Sequence, residues 1–338
     1  MKRIDFISIL RILSMLSILM FHSLCFYAGV WWYLQAETVP IWRVIAMPIV
    51  KIGLSTFFLI AGFLFGFLYI ERNKYRVLST FFLNKTRRIA LPYVIWSGFM
   101  IITFPFIPWS DCLIGTAHLW FLLTLFELFI IIILPIKLLS THTSIYIDSI
   151  IFATSLILLY IWQNQIEHHF VLSIENTLYF LPAFLTGFYC AKYRLHTWCY
   201  RKAAFFLLFF CIIVLIALSY YSTKENTSLL IDISVRLLSC IAAISALIMT
   251  NSIIIPEKSK LLVQNLDNNS MGIYIFNQII VFVILLIPFL RHFLEVHYLV
   301  GPFIIFIVSF FIPWGLAILF NKTIYLSWMI GSSIAKQH

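Results

Sequence analysis

The sequence predicts an all-α protein, a polytopic bundle of about ten transmembrane helices with both termini cytoplasmic. Three observations carry this. The 338 residues are 62% hydrophobic and only 11% charged, with a mean hydropathy of +1.01; a soluble domain draws about a quarter of its residues from the charged set. Apolar runs of about 20 residues, enough to cross the hydrocarbon core, recur along the whole chain. Lys and Arg gather in alternate loops. The runs show no period-two alternation, so helices and not a closed barrel satisfy the backbone in lipid.

The runs fall at 7–27, 44–69, 89–107, 119–139, 145–162, 177–191, 203–221, 229–250, 271–290 and 298–320. The first continues past the apolar core of a signal peptide and lacks a small-residue cleavage site, which makes it a retained span. The second carries Gly62 and Gly66 four residues apart, a spacing that lets helices approach closely. The third follows a basic cluster and opens on Pro92 and Tyr93. Asp148 interrupts the start of the fifth, and the sixth is short, so the count is good to one span. Residues 1–320 form one membrane domain, and 321–338 a short cytoplasmic tail too small for a further catalytic unit.

The formal charge of +10 follows topology. The segment between the second and third spans holds Arg72, Lys74, Arg76, Lys85, Arg87 and Arg88; loop 192–202 adds Lys192, Arg194, Arg201 and Lys202, and loop 251–270 adds Lys258 and Lys260. The alternate loops near 108–118, 163–176 and 222–228 hold one Lys and no Arg. This is the positive-inside pattern, reinforced by attraction to anionic lipid, and it leaves no case for a nucleic-acid partner. Trp31, Trp32, Tyr33 and Trp42 around the first outer loop, with Trp109 and Trp120 at the second, read as an aromatic belt. Cys25, Cys112, Cys190, Cys199, Cys211 and Cys240 show neither metal-ligand spacing nor a disulfide framework; they read as packing residues, and no metal is expected. There is no inverted repeat of the kind many transporters carry.

Ionisable groups inside spans are costly and default to functional hypotheses. Arg11 and His22 are eleven residues apart, which is about 20° beyond three helical turns and ~16 Å along the axis. They share one face, a cation near the inner surface and an imidazole in the outer half. The plain reading is that Arg11 snorkels and His22 bonds a neighbouring helix. Lys85 and Arg88 share a face at i, i+3 and suit a polyanion, although from charge alone a positive-inside anchor is the better account. Glu127 near mid-bilayer needs a proton or a cation, with Lys51 and Arg236 as candidate partners. Asp232 and Arg236, four apart, can satisfy each other. His118 and Trp120 mark the outer entrance of the fourth span.

Taken together these segments resemble acyltransferase family 3. The first span has Arg, ten intervening residues and His, here Arg11 and His22. The second has "KIGLSTFFLIAGFL", with Ala61 where the family usually has Ser. The third, "KTRRIALPY", keeps Arg88, Pro92 and Tyr93 but has Lys85 in the first basic position. "HLWFLLTL" at 118–125 and "SMGIYIFNQ" at 270–278 match later motifs, with Asn277 where a His often stands. The resemblance runs from the N-terminus to the ninth span. It implies a multi-pass enzyme of the bacterial plasma membrane that moves acetyl or related acyl groups from acetyl-CoA or another acyl-CoA to a hydroxyl of a surface or exported glycan. It also implies roles. His22 is the acid–base residue; Arg11, Lys85, Arg87 and Arg88 hold the donor phosphates, with the pantetheine arm along the Arg11–His22 face. His118, Trp120, Glu127, Lys51, Tyr274 and Asn277 lie toward the acceptor. Partners are then membrane lipid, acyl-CoA and the glycan, with room for a homo-oligomer or polysaccharide-assembly proteins. The rival reading is a transporter or flippase of a glycan or lipid-linked precursor, which also wants buried charges and an outer aromatic rim.

Overall fold

The computed structural model describes residues 5–31, 34, 36–72, 74–75, 77–139, 144–165, 172–197, 200–222, 228–251, 253–323 and 326–332. Trp32, Tyr33, Arg76, Cys199 and tail residues 324–325 and 333–338 lie outside them. Among the described residues there is no strand. The helices are α1 (Asp5–Ala28), α2 (Pro40–Ile70), α3 (Leu78–Lys85), α4 (Leu91–Thr103), α5 (Asp111–Ile114), α6 (Trp120–Leu139), α7 (Ile145–Gln165), α8 (Ile174–Lys192), α9 (Arg201–Tyr221), α10 (Leu229–Asn251), α11 (Glu257–Leu286), α12 (Pro288–Val296) and α13 (Gly301–Lys322). Eight helical stretches among the described residues are long and apolar enough to cross a membrane. The more polar rod α3–α4 and the helix α8 fall where the sequence suggested spans three and six, and neither is among the eight.

Burial sorts the helices into layers. In the apolar windows of α7, α9 and α13 only 17%, 17% and 22% of residues are buried, against 61% for α1 and 72% for α11. The first three therefore present their side chains to lipid, and α1, α2, α8 and α11 make the protein interior. In lipid there is no hydrophobic gain from helix association, so close packing and interhelical hydrogen bonds must hold the interior.

The tightest contact is between α2 and α8. A Cβ on Gly62 would fall 1.9 Å from the Phe184 carbonyl oxygen, and one on Gly187 would fall 1.9 Å from that of Leu59. The two backbones touch reciprocally through residues that have no side chain. The small-residue spacing in α2 thus has its counterpart in α8.

The seam between α1 and α11 is closed by polar side chains. Near one end Arg11 Nη1 donates to Asp267 Oδ1 at 2.6 Å, and Ser8 Oγ donates to Asp267 Oδ2 at 2.9 Å. Three turns on, His22 pairs with Asn277. Both pairings advance in the same chain direction, so α1 and α11 run parallel. Asp148, the charge that interrupts the fifth span, is buried and ion-paired with Lys192.

Between α3 and α4 the chain makes one turn of π-helix, Thr86–Ala90, in which Leu91 N–H donates to the Thr86 carbonyl. Pro92 follows and has no N–H to give the Arg88 carbonyl, the usual cause of such a widened turn. Against that carbonyl lies Gly331, at φ +67°, in the turn that follows α13. Trp96 Nε1 donates to the Met329 carbonyl at 2.9 Å and fastens the same segment. The start of the tail is therefore packed onto the basic turn.

The α2–α8 contact yields a direct test. Gly62→Ala or Gly187→Ala must force two backbones apart and should destabilise the detergent-solubilised protein by about 1–3 kcal/mol or more. Gly98→Ala, where nothing lies within 4 Å of the added carbon, should leave thermal stability unchanged. Equal melting of all three variants would sink this account of the interface.

Candidate active site

His22 sits one and a half turns before the end of α1, on the face turned to α11. Its Nδ1 lies 2.6 Å from Asn277 Oδ1. The amide is oriented by its other end, because Asn277 Nδ2 donates to the Ser309 carbonyl of α13 at 3.0 Å. Oδ1 must then accept, so His22 Nδ1 carries the proton. A neutral His22 therefore keeps its lone pair on Nε2. Three helices combine to set one tautomer.

His118 stands in a 3-10 turn, Ala117–Leu119, just before α6. It is tied to α11 twice: its Nε2 donates to the Ile275 carbonyl at 3.0 Å, and its own carbonyl accepts from the Tyr274 hydroxyl. With Nε2 as donor, the ring's Nδ1 is left as an acceptor, and this atom is buried without a partner among the described residues. The His22 and His118 rings meet edge to face with centroids 5.7 Å apart, and Tyr274 lies 6.4 Å from the first and 5.2 Å from the second.

These rings border a cavity of about 730 Å³ lined by His22, His118, Trp120 and Tyr274. Trp120 stacks on Phe180 with ring planes 20° apart, a rigid aromatic wall. Trp31 and Phe106 extend that wall, and Asp111, Asn176 and Gln278 add polar atoms. The cavity thus combines aromatic faces with a few hydrogen-bonding groups, the makeup of a site for a small polar molecule. On α1 its lining reaches Ile18. Below that, Leu10, Ser14 and Met15 are buried, so the face between Arg11 and His22 is a helix contact and not an open groove for a pantetheine arm.

Glu127 is placed otherwise than the sequence suggested. Its Oε1 accepts from the Ser173 backbone N–H at 2.8 Å and its Oε2 from Thr177 Oγ1 at 2.6 Å, so it caps the start of α8. Unsatisfied N–H groups and the helix dipole give a carboxylate partners there without any cation. Lys51 and Arg236 are engaged elsewhere, on Tyr179. Lys51 Nζ donates to the Tyr179 hydroxyl at 2.7 Å, and the Arg236 guanidinium lies 4.7 Å from the ring centroid. Arg236 also pairs with Asp232, as their spacing predicted. Lys51 does not reach the His22 cavity. Glu127 touches it only indirectly, since Asn176 on the cavity wall donates to Ser173 Oγ at 3.0 Å.

At the opposite end, Arg87 and Arg88 are exposed. Lys85 points the other way. Its ammonium lies 3.3 Å from the centroid of Phe129, with Phe81 at 5.6 Å and Tyr75 at 5.9 Å completing an aromatic box. Burial, reinforced by the positive charges of Arg88 and Lys74, lowers its pKa to about 7. Arg11, bonded to Asp267 through Nη1, is about a quarter exposed. The structure brings together His22, His118, Trp120, Tyr274 and Asn277, and leaves Arg11, Lys85, Arg87 and Arg88 as a separate basic end.

Sequence reasoning missed Asp267, Ser309 and Asn176. Asp267 had a legible signal: it precedes Tyr274 by seven residues and Asn277 by ten, on the α11 face that carries both. Trp31 and Trp42 are buried and not part of a lipid-facing belt; Trp31 lines the cavity, and Trp42 Nε1 donates to the Tyr298 carbonyl at 3.1 Å. Cys25, Cys112, Cys190, Cys211 and Cys240 are free thiols. Among the described residues no three His, Cys, Asp or Glu side chains cluster as a metal site.

Comparison with curated proteins and with solved structures gives no match. A family model described as an acyltransferase domain does match, over residues 4–320. That span begins ahead of Arg11 and ends past Ser309, taking in both basic end and cavity. The chain accordingly belongs to acyltransferase family 3, a family of membrane acyltransferases.

Proposed function

We propose that the protein is a membrane O-acyltransferase, most simply an O-acetyltransferase, that carries an acyl group from cytoplasmic acyl-CoA to a hydroxyl of a cell-surface or exported glycan at the bacterial plasma membrane. The observation that supports it best is the Ser309–Asn277–His22 chain, which leaves the His22 Nε2 lone pair at the wall of a cavity lined by aromatic rings. A base oriented by a fixed partner on its other nitrogen is the arrangement that acyl transfer uses.

In this reading an acceptor hydroxyl enters the cavity and stacks its ring on Trp120. His22 Nε2 takes the hydroxyl proton as the oxygen attacks the thioester carbonyl. The C–S bond breaks, the new ester keeps the acyl group, and the departing thiolate receives the proton from His22. Electrons and protons balance without a further reactant. Attack by Nε2 itself would give an acyl-His22 intermediate, seen as one equivalent of CoA released before acceptor is added.

The donor's charged end belongs with the exposed Arg87 and Arg88, whose planar forks suit phosphate oxygens. Arg11 offers the guanidinium N–H groups that Asp267 does not use. Lys85, held in its aromatic box, acts through its charge and not by direct contact. The reactive end of the donor has ~16 Å to cover from Arg11 to His22, and the seam between α1 and α11 must part to admit it.

His22→Ala should lower turnover at least about 100-fold, the usual weight of a general base, while protein level and acyl-CoA binding persist. Mass spectrometry of the surface glycan reads the outcome. Acylation that survives in this variant ends the catalytic reading; unmodified glycan that fails to reach the surface favours transport instead. Arg88→Ala should weaken CoA binding about tenfold, as expected for losing a charge-assisted contact, and unchanged calorimetric affinity would count against the donor site. Lys85 is charged below pH about 7 and neutral above it. Its help to an anionic donor is therefore present at pH 6 and lost by pH 8. CoA affinity should fall across that interval in the wild type and fall less in Lys85→Gln; parallel profiles would remove Lys85 from the donor field.

A further inference from the structure

A second, smaller cavity of about 170 Å³ lies among α2, α9 and α10. Val50 and Leu54 of α2 face the His22 cavity, whereas Arg43, Met47 and Lys51 face this one. Arg43 and Lys51 are at the end of α2 remote from Arg87 and Arg88, on the side where the positive-inside pattern leaves few cations. Neither has a carboxylate partner among the described residues: Arg43 is exposed, and Lys51 donates to the Tyr179 hydroxyl. The one acid in the wall, Asp232, is ion-paired with Arg236. Among the described residues the pocket therefore carries two positive charges without a carboxylate partner.

Its size and walls narrow the ligand further. At about 170 Å³ it falls below the 300–1,000 Å³ usual for drug-sized molecules. It has room for a phosphate group but none for a nucleotide. Met47, Pro48, Leu215, Leu218 and Val235 make most of the remaining wall, with Ser219 and Ser222 adding hydroxyls. At its level α9 exposes Ile216 and Tyr220, and only 17% of the apolar window of that helix is buried. A small cationic pocket bordered by a lipid-facing apolar helix suits an amphiphile. Arg43 and Lys51 are eight residues apart, ~12 Å along the axis. Both are long side chains, able to bring a cation to a shared headgroup as snorkelling residues do.

We infer that this pocket binds the phosphate headgroup of an anionic lipid from the leaflet opposite the Arg87–Arg88 turn. The site is separate from the His22 cavity and does not depend on the acyl-transfer reading. The lipid holds α2 in place beside Val50 and Leu54, which form part of the His22 cavity wall.

The test uses the full chain in a neutral detergent and native mass spectrometry with three probes. These are phosphatidylglycerol, a galactosyl diacylglycerol with the same acyl chains, and inorganic phosphate. The wild type should retain phosphatidylglycerol in preference to the phosphate-free lipid. Arg43→Gln should cut that preference about fivefold, the effect of one basic side chain near an anionic surface, and adding Lys51→Gln should cut it again by a similar factor. Arg43 is exposed, so the single variant is expected to fold even if the double variant does not. Equal retention of both lipids by the wild type, or an unchanged preference in folded Arg43→Gln, overturns the inference. Displacement of the lipid by millimolar inorganic phosphate would reassign the pocket to a free anion and also overturn it.

Discussion

The hydrogen bond between His22 and Asn277 is the constraint on which the rest of the site depends. A free imidazole exchanges its proton between two nitrogens, and only one tautomer puts a lone pair where chemistry needs it. Here the choice is made by an amide that is itself held by the Ser309 carbonyl. The consequence is structural as much as chemical. Fixing that tautomer requires α1, α11 and α13 to keep their mutual register, so a shift of any one of them unfixes the base. Where the family resemblance leads one to expect a His, this chain has Asn277. It removes a second titrating group and supplies an acceptor whose orientation never changes with pH.

Register along the α1–α11 seam is set by a second bond. Two polar contacts three turns apart define both the sliding and the rotation of parallel helices, which one contact alone cannot do. The Arg11–Asp267 pair lies near the membrane surface, where Arg11 remains about a quarter exposed, so its desolvation cost is lower than that of a pair at mid-bilayer. An ion pair of this kind adds little net stability once desolvation is counted, but its geometry restricts how the two helices can meet. In this seam that restriction is what aligns His22 with Asn277.

The sequence showed the helical class, the apolar runs and the shared face of Arg11 and His22, because each follows from period and composition. It showed Gly62 as a packing residue but not that Gly187 of α8 was the partner. Contacts between helices depend on rotation about each axis, and no one-dimensional period encodes that. Glu127 illustrates the difficulty. A carboxylate in an apolar run calls for a partner, and the cations Lys51 and Arg236 are the obvious candidates; the structure answers with the Ser173 backbone N–H at the start of α8 and the Thr177 hydroxyl. Backbone donors are present in every sequence and invisible in all of them. Lys85 shows the same limit in another form. Its place in a basic cluster suggested solvent and phosphate, yet Phe81, Phe129 and Tyr75, scattered along 54 residues of chain, form a box that turns it inward.

The stretch from Arg11 to His22 poses a problem that the structure makes more definite. In the proposed reaction a nucleotide donor cannot enter lipid and a glycan acceptor on the far side cannot reach the cytoplasm, so the acyl group would cross most of the bilayer while both partners stay in water. A flexible uncharged arm is the only part of an acyl-CoA fit to lie in that interior. The packed residues between the two polar contacts, Ser14 and Met15, show that the path is not standing open. A permanent channel there would let water and protons reach the base from the cytoplasm. A seam pinned at both ends and packed between them would avoid this in the proposed reaction, parting for the arm and closing behind it as the Arg11–Asp267 and His22–Asn277 bonds return α1 and α11 to register.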